Sequence, residues 1–293
     1  MALTSPALTL ATEAMFGNIK PALDLLKRLG PTDFSAGAPE YVVKPGATVK
    51  VPVSSIAAAS AYNASTNNYL TGGNTDWASL TSAHYLQGFD ITGVNVDQGV
   101  DSKRMEQLFT RRAGTGIAYA VQGALKTALD GATASTGVTI PAVGTATIDS
   151  YMGLNGVKDW FTGSLSALAV NGTEYANIKS LFAAKGIVGT DTQLAQYLGF
   201  KDLILVPGMT ARVVIVPDGA MGFLGRVPAI IANYPEAGVE TDADTGLSVG
   251  IVIADDQATN KRVANADLWF GCYLISANAA ASTAGAIKVG TSA

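Results

Sequence analysis

Apolar and polar residues alternate with period two in several short segments, and such alternation predicts half-buried β-strands. The segments 49–53 and 89–96 are expected to pair as the two sides of an extended hairpin. The segments 247–253 and 268–275 also have strand character and are separated by a polar stretch at 255–265. We therefore expect a second long hairpin to close the chain.

A repeat of three and four residues predicts one long helix at 102–129. Asp101 is a suitable N-cap, and Gly131 lies where a left-handed residue commonly ends a helix. At 1.5 Å per residue this helix is roughly 42 Å long. Its predicted apolar stripe consists of Met105, Phe109, Ala113, Ile117, Ala120, Val121, Ala124 and Ala128.

The first 30 residues predict a helical arm that packs along another element or a neighbouring subunit. Leucines cluster after Pro21, which suits a first helical turn, and Gly30 followed by Pro31 ends the helix. A mixed region lies further along the chain. Thr173 is expected to cap a helix to 185, a short helix begins at Thr190 or the next residue, and strands are expected at 202–206, 212–216 and 227–232.

The segment 54–85 is rich in small polar residues with aromatic side chains between them. A connection of this length without clear periodicity is usually functional. We expect it to bury little surface within its own subunit and to cover a neighbouring one. The candidate inter-subunit contact residues are Tyr69, Leu70 and Trp77, together with Arg111 and Arg112 of the long helix.

Composition excludes most chemistry. The chain has one histidine, one cysteine and 14% charged residues, whereas about 25% is average for soluble domains. The net charge of −4 argues against phosphate-neutralising contacts with nucleic acid. The mean hydropathy of +0.27 is high, but the apolar runs are shorter than the ~20 residues of a membrane-spanning helix. We attribute the excess to surface buried between chains. The N-terminus lacks the charge pattern of a secretory signal, so synthesis in a reducing cytoplasm is expected.

The sequence predicts no catalytic residue, no cofactor site and no metal site. No phosphate-binding loop or nucleophile elbow is present. His84 lies in the polar segment and is expected to be an ordinary exposed histidine. Asp242 and Asp244 lack the glutamate that completes a calcium loop, so a solvated turn is the simpler interpretation. Cys272 is expected to be buried in a strand.

The order of elements resembles the Hong Kong 97-type α+β fold of tailed-bacteriophage major capsid proteins, which encapsulins also use. The most family-like stretch runs from Arg212 to Phe223 (Arg-Val-Val-Ile-Val-Pro-Asp-Gly-Ala-Met-Gly-Phe), followed by Arg226 and the strands through Ile275. The resemblance implies an N-terminal arm at 1–41, an E-loop hairpin at 42–97, a P-domain with the spine helix at 98–170, an A-domain at 171–225, and closing strands with a C-terminal tail at 226–293.

The same resemblance implies function. The chain would be a non-enzymatic coat protein that assembles with itself as pentamers and hexamers into an icosahedral virion shell around double-stranded DNA, which it contacts non-specifically. Assembly would take place in the bacterial host cytoplasm, without a membrane. About 40 residues before the hairpin imply a separate scaffolding protein, if one is used; portal and decoration proteins are further possible partners. The alternatives are an encapsulin-like nanocompartment and a soluble α/β enzyme.

Overall fold

The computed structural model describes residues 6–35, 48–54, 75–90, 102–134, 139–157, 166–226, 236–256, 258, 261–274 and 287–291. The helices of these ranges are α1 (Pro6–Arg28), α2 (Ser102–Asp130), α3 (Ile148–Met152), α4 (Gly172–Ala184) and α5 (Asp191–Tyr197), with a 3₁₀ turn at Gly153–Val157. The strands are β1 (Thr32–Asp33), β2 (Thr48–Ser54), β3 (Thr75–Thr81), β4 (Ala83–Asp90), β5 (Thr133–Ala134), β6 (Ala167–Val170), β7 (Leu203–Leu205), β8 (Ala211–Val216), β9 (Met221–Arg226), β10 (Glu236–Thr241), β11 (Ser248–Asp256), β12 (Lys261–Leu274) and β13 (Ile287–Thr291).

The larger sheet has six strands and is organised around β12. Residues 261–267 of β12 pair with β11, residues 263–270 with β4, and residues 269–274 with β9, all antiparallel. Strand β10 extends the sheet beyond β11. Because residues 263–267 have partners in both β4 and β11, those two strands flank β12 on opposite sides. Within the described residues β4 is therefore the lateral edge on one side, and β10 and the short β1, which extend the sheet beyond β11 and β9, form the edge on the other side.

The closing hairpin is confirmed, but its strands are longer than predicted. The polar stretch 255–265 is mostly strand, because β11 continues to Asp256 and β12 begins at Lys261. The register places Asp255 opposite Arg262 and Asp256 opposite Lys261. These oppositely charged cross-strand pairs favour continued pairing where hydropathy alone indicates a turn.

The extended hairpin forms with a different partner strand from the one predicted. Strand β2 pairs with β3, with Pro52 opposite Trp77, and not with 89–96. Phe89 and Asp90 instead lie in β4 and pair with β12, and residues 91–96 lie outside the described ranges. Only Ser82 separates β3 from β4. The chain thus passes from the hairpin into the central sheet through a single residue.

Helices α1 and α2 pack against each other and cover one face of the six-stranded sheet. Helix α2, which we call the spine helix, lies over β12 and β4, while α1 lies beside β10 and β11. Helix α1 begins earlier than expected, at Pro6, so Pro21 is inside it. The helix continues through Pro21 because apolar residues on both sides of the proline, Met15, Ile19, Leu23, Leu26 and Leu29, are completely buried.

The buried stripe of the spine helix differs in part from the prediction. Within residues 111–130 the buried positions are Ala113, Gly114, Ala118 and a series four residues apart: Ile117, Val121, Leu125 and Leu129. The side chains of the predicted Met105 and Phe109 lie outside the described part of the chain. Ala120 is only half-buried and does not belong to the core. The closest helix crossing is at Gly114, where an added Cβ would lie 2.3 Å from the carbonyl oxygen of Met15. Close approach therefore depends on a glycine and not on the alanines.

The second sheet has five strands in the order β5-β13-β8-β6-β7. One of its faces contributes to the main core, and the other packs under α4 and α5 as a second core. Helix α4 is capped by Asn171, whose side-chain oxygen accepts from the Glu174 N–H at 2.9 Å, so the predicted cap at Thr173 was two residues late. The short helix α5 begins at the predicted Thr190, which forms a capping box with Gln193. The predicted third strand at 227–232 lies outside the described residues, and strand β9, which was not predicted, ends just before it at Arg226.

A buried network of polar side chains lies within the second core. Glu174 has no exposed surface, and it accepts hydrogen bonds from the Tyr151 hydroxyl and from Arg212 Nε. The remaining Arg212 donors reach the carbonyl oxygens of Ile140 at 3.1 Å and Pro141 at 2.7 Å. Burial, together with the bond to Glu174, raises the pKa of Tyr151. The buried charge is therefore paired and satisfied.

Two polar contacts join the second sheet to the helices. Arg28, the last residue of α1, donates to Asp202 through Nε at 2.6 Å and through a terminal nitrogen at 3.0 Å. At the end of the spine helix, one Asp130 carboxylate oxygen accepts the backbone N–H groups of Thr210 at 2.9 Å and Ala211 at 2.8 Å. Each contact fixes a helix end to a strand of the second sheet. No helix among the described residues is both long enough and apolar enough to cross a bilayer.

We expect Gly114→Ala to destabilise the subunit by about 1–3 kcal/mol, because the new methyl group meets backbone at the crossing of α1 and the spine helix. The matched control is Gly123→Ala on the same helix, where an added Cβ meets no atom within 4 Å. That change should stabilise the subunit by roughly 0.5–1 kcal/mol through helix propensity. Urea unfolding of dissociated subunits measures both. Equal effects of the two substitutions would contradict the proposed crossing.

We expect Asp130→Ala to cost about 1–3 kcal/mol at neutral pH, because two backbone donors lose a charged acceptor. Partial burial opposes ionisation, but the N–H donors of Ala211 and Thr210 outweigh it and lower the pKa of Asp130. A lowered folded-state pKa gives stability that is present above the ordinary aspartate pKa of about 3.9 and is lost as pH falls through the folded-state value. The difference between wild type and Asp130→Ala should therefore shrink in unfolding measured below pH 4. A constant difference would contradict this prediction.

Candidate assembly surfaces

The two faces of the six-stranded sheet differ in character. On β12, Ala264, Ala266, Leu268, Phe270 and Cys272 belong to the main core under the helices. Because side chains alternate along a strand, Asp267 and Trp269 point to the opposite face. The register places His84 of β4 directly opposite Trp269, so it lies on that same face. This face, and not the helix-covered one, carries the chain's single histidine.

His84 forms a compact polar contact on this face. Its Nε2 lies 2.5 Å from Asp267 Oδ1, and its ring stacks on Trp269 with centroids 4.5 Å apart and planes inclined by 7°. His84 is exposed, as expected, but its expected place in a loop was wrong, because β4 pairs with β12 and brings it onto a buried carboxylate. Asp267 is only 6% exposed, and its burial, partly offset by His84, raises its pKa.

His84 joins β4 to β12 through its contact with Asp267, and its surroundings offer no catalytic arrangement. The partners of the imidazole are a carboxylate and an indole ring, and the hydroxyl or thiol that nucleophilic catalysis requires is not among them. Cys272 is buried on the opposite face of β12, and burial raises the pKa of its thiol to about 12. Within the described ranges, no three His, Cys, Asp or Glu side chains lie close enough together to hold a metal ion.

Asp242 and Asp244 lie in a largely exposed turn, as expected, but both carboxylates have partners. Asp242 is 7% exposed, and one of its carboxylate oxygens accepts from the Thr245 N–H at 3.0 Å and from the Thr245 hydroxyl at 2.7 Å. Asp244 forms an ion pair of 2.7 Å with Lys27 of α1. Gly246, with a φ of +73°, closes the turn. Asp242 therefore holds the turn between β10 and β11 internally, and Asp244 attaches it to α1.

Large apolar side chains are exposed at several places that sequence periodicity does not mark. Leu86 on β4 is 57% exposed, Tyr119 on the spine helix 69%, and Val239 on β10 52%. Elsewhere in the described residues the exposed large apolar side chains are Val143, Met152, Val188 and Tyr197. The exposure of Tyr119 is consistent with its position off the predicted stripe. The exposure of Leu86 and Val239 depends on β4 and β10 being lateral strands, which no local pattern shows.

The structure describes three of the five predicted contact residues. Arg111 and Arg112 are both exposed on the spine helix. Asn18 of α1 donates to the Arg111 carbonyl oxygen at 3.0 Å, so the backbone at this point touches α1. Trp77 is at mid-strand in β3. Tyr69 and Leu70 lie outside the described residues.

The expectation that 54–85 is a loop with little contact to its own subunit was wrong for its last part. Residues 75–81 and 83–85 are strand, and Leu80 is 1% exposed in a small cluster with Leu224. Tyr85 packs against the main core. Alanine, serine and threonine give this stretch no alternation, so its strand character comes from its partners β2 and β12. Residues 55–74 lie outside the described ranges.

No family model matches the sequence, and no curated protein matches it. Solved structures do. The capsid of an empty GTA particle aligns with a TM-score of 0.57 and 10% identity over 91% of this chain and 89% of that one. The capsid of Ralstonia phage GP4 aligns with a TM-score of 0.52 and 10% identity over 85% and 84% of the two chains. A virus-like particle from Pyrococcus furiosus aligns with a TM-score of 0.51 and 10% identity over 95% and 96%.

These likenesses establish the fold. The chain has the α+β fold of tailed-phage major capsid proteins, the Hong Kong 97 type. The fold expected from the order of elements is therefore confirmed.

We expect His84→Ala to destabilise the subunit by about 1.5–3 kcal/mol, because it removes a hydrogen bond to a charged partner and leaves the buried Asp267 carboxylate without it. The control is Leu86→Ala, two residues further along the same strand and mostly exposed, which should change stability by less than about 0.5 kcal/mol. Thermal unfolding of dissociated subunits measures both. A His84→Ala variant as stable as the control would show that the contact contributes nothing.

Proposed function

We propose that the chain is the major capsid protein of a tailed bacteriophage, a non-enzymatic subunit that assembles with itself into an icosahedral shell around double-stranded DNA. The observation that carries the proposal is the alignment with phage-type capsids over nearly the whole of both chains. Composition supports it, since a mean hydropathy of +0.27 suits a chain that buries surface against copies of itself. Pentamers and hexamers of one chain require contacts that repeat and close.

We propose a division of the chain into five parts. The arm at 1–41 contains α1, and the E-loop at 42–97 contains the β2–β3 hairpin and β4. The P-domain at 98–170 contains the spine helix, the A-domain at 171–225 contains α4 and α5, and the closing strands at 226–293 include β12. Within this division Tyr69, Leu70 and Trp77 of the E-loop and both arginines of the spine helix are the proposed contact residues.

The proposed place of the protein is the virion capsid, assembled in the cytoplasm of the bacterial host. Its further proposed partners are a portal, a separate scaffolding protein and decoration proteins. A net charge of −4 suits the wall of a container in which packaged DNA is held without tight binding.

The second candidate is an encapsulin-like nanocompartment shell. The alignment with the Pyrococcus furiosus virus-like particle, over 95% of this chain, favours it. The two candidates differ in contents, because a virion encloses DNA and a nanocompartment encloses protein.

Electron microscopy of the purified protein tests the proposal directly. We expect closed icosahedral particles of uniform size. Particles captured from their natural source with an antibody to this chain should then contain nuclease-protected DNA. Protein cargo without DNA would support the nanocompartment. A protein that remains monomeric under all assembly conditions would contradict both candidates.

We expect Trp77→Ala to weaken assembly by about 2 kcal/mol or more per contact, because aromatic anchors dominate many interfaces. Trp77→Phe is the matched control, since it keeps an aromatic ring at the same place in β3 and should retain most of the assembly. The fraction of protein in shells is measured by sedimentation, and circular dichroism verifies that the subunit folds. Normal assembly of Trp77→Ala would remove this residue from the interface.

A further inference from the structure

Strands β4 and β10 lie on opposite lateral sides of the six-stranded sheet, and side chains of opposite charge lie beside them. We call β4 with the spine helix over it the β4 edge, and β10 with α1 beside it the β10 edge. The strands between them are β12 and β11, so three strand spacings of about 4.8 Å, or about 14 Å, separate β4 from β10. Side chains on these two edges are too far apart to pair within one subunit.

The β4 edge presents Arg112 and Tyr119. Arg112 lies one helical turn before Gly116, where an added Cβ would meet the Gln87 side chain of β4 at 2.9 Å. Residues four apart share a helix face, so Arg112 lies on the flank of the spine helix that faces β4. Tyr119, three residues beyond Gly116, continues this flank and is 69% exposed. Arg112 is exposed, and no ion pair to it is found in the described part of the chain.

The β10 edge presents Val239 and Glu240. Val239 is 52% exposed, and Glu240 is half-buried at the same edge, opposite Val249 of β11. Among the described residues no cation forms an ion pair with Glu240. Because side chains alternate along a strand and Val249 belongs to the main core, Glu240 lies on the helix-covered face and Val239 on the opposite face. On its helix-covered side this edge therefore offers a carboxylate that complements the arginine of the β4 edge.

We propose that Arg112 of one subunit pairs with Glu240 of the next in a head-to-tail contact between the β4 edge and the β10 edge. The inference rests on the proposed function, because its partner is a second copy of this chain. A contact between two different edges is heterologous, and repeated around an axis it closes into a ring. The same contact therefore serves in rings of five and of six subunits.

A charge exchange tests the contact. Arg112→Glu and Glu240→Lys should each lower the fraction of protein that sediments as shells by about fivefold, because each replaces attraction by repulsion at an exposed pair. The double variant Arg112→Glu/Glu240→Lys should return to the wild-type fraction. The matched control is Arg111→Glu/Glu240→Lys, which has the same net charge with the new carboxylate one residue away, and it should remain defective.

A covalent measurement does not depend on the yield of shells. Cys272 is the chain's one cysteine and is buried. In the variant Arg112→Cys/Glu240→Cys, a short bis-maleimide should join neighbouring subunits into a ladder that ends at five or six copies, the ring sizes of the proposed capsomers. The variants Arg112→Cys and Glu240→Cys, each with one new cysteine, should give no cross-linked product, because like residues do not meet in a head-to-tail ring.

The outcomes separate the two proposals. Suppose that the wild-type chain forms shells. Charge-reversed variants that assemble normally, a double variant that is not rescued, or the absence of a cross-linked ladder would each then overturn the edge contact and leave the proposed function standing. Failure of the wild-type chain to form any closed particle would overturn the proposed function itself. Restored assembly of the exchanged pair and a ladder of the expected length would support the contact.

Discussion

Strand β12 is the constraint on which the rest of the structure depends. Its 14 residues pair in turn with β11, β4 and β9. A shift of one residue in this register would move Phe270 and Cys272 out of the main core and bring Asp267 and Trp269 under the helices. The register of one strand therefore decides which face accepts α1 and the spine helix, and which strands become the lateral edges.

Much of the fold could be predicted because it depends on local signals. The spine helix, the strands β7 and β8 of the second sheet and the closing hairpin follow from local pattern, whereas β6 and β13 of that sheet were not predicted. Turn residues such as Gly30 and Gly186 adopt the left-handed conformation expected at helix ends. The segment 75–85 could not be predicted, because its strand character comes from its partners. Strand β9 was missed for a related reason. At Gly225 an added Cβ would lie 1.9 Å from the side chain of Leu247, so this glycine reflects a contact with a distant residue and not a turn.

The candidate surfaces were less predictable than the fold. The exposure of Arg112 follows from its place off the apolar stripe of one helix. The pairing of His84 with Asp267 joins residues 183 positions apart, and no spacing in the sequence indicates it. The exposure of Val239 is likewise a property of the sheet edge and not of the segment around it. Surface chemistry in this chain is set by tertiary neighbours, whereas the helices and the hairpins are set mainly by local pattern.

The single residue between β3 and β4 has a mechanical consequence. Tension applied to the extended hairpin reaches the body of the subunit through Ser82 and enters β4 along its axis. The eight residue pairs between β4 and β12 then carry this load together, in shear, and do not open one after another as a zipper does. Paired strands resist load in this direction more strongly than they resist peeling, so β4 is a strong attachment for the hairpin.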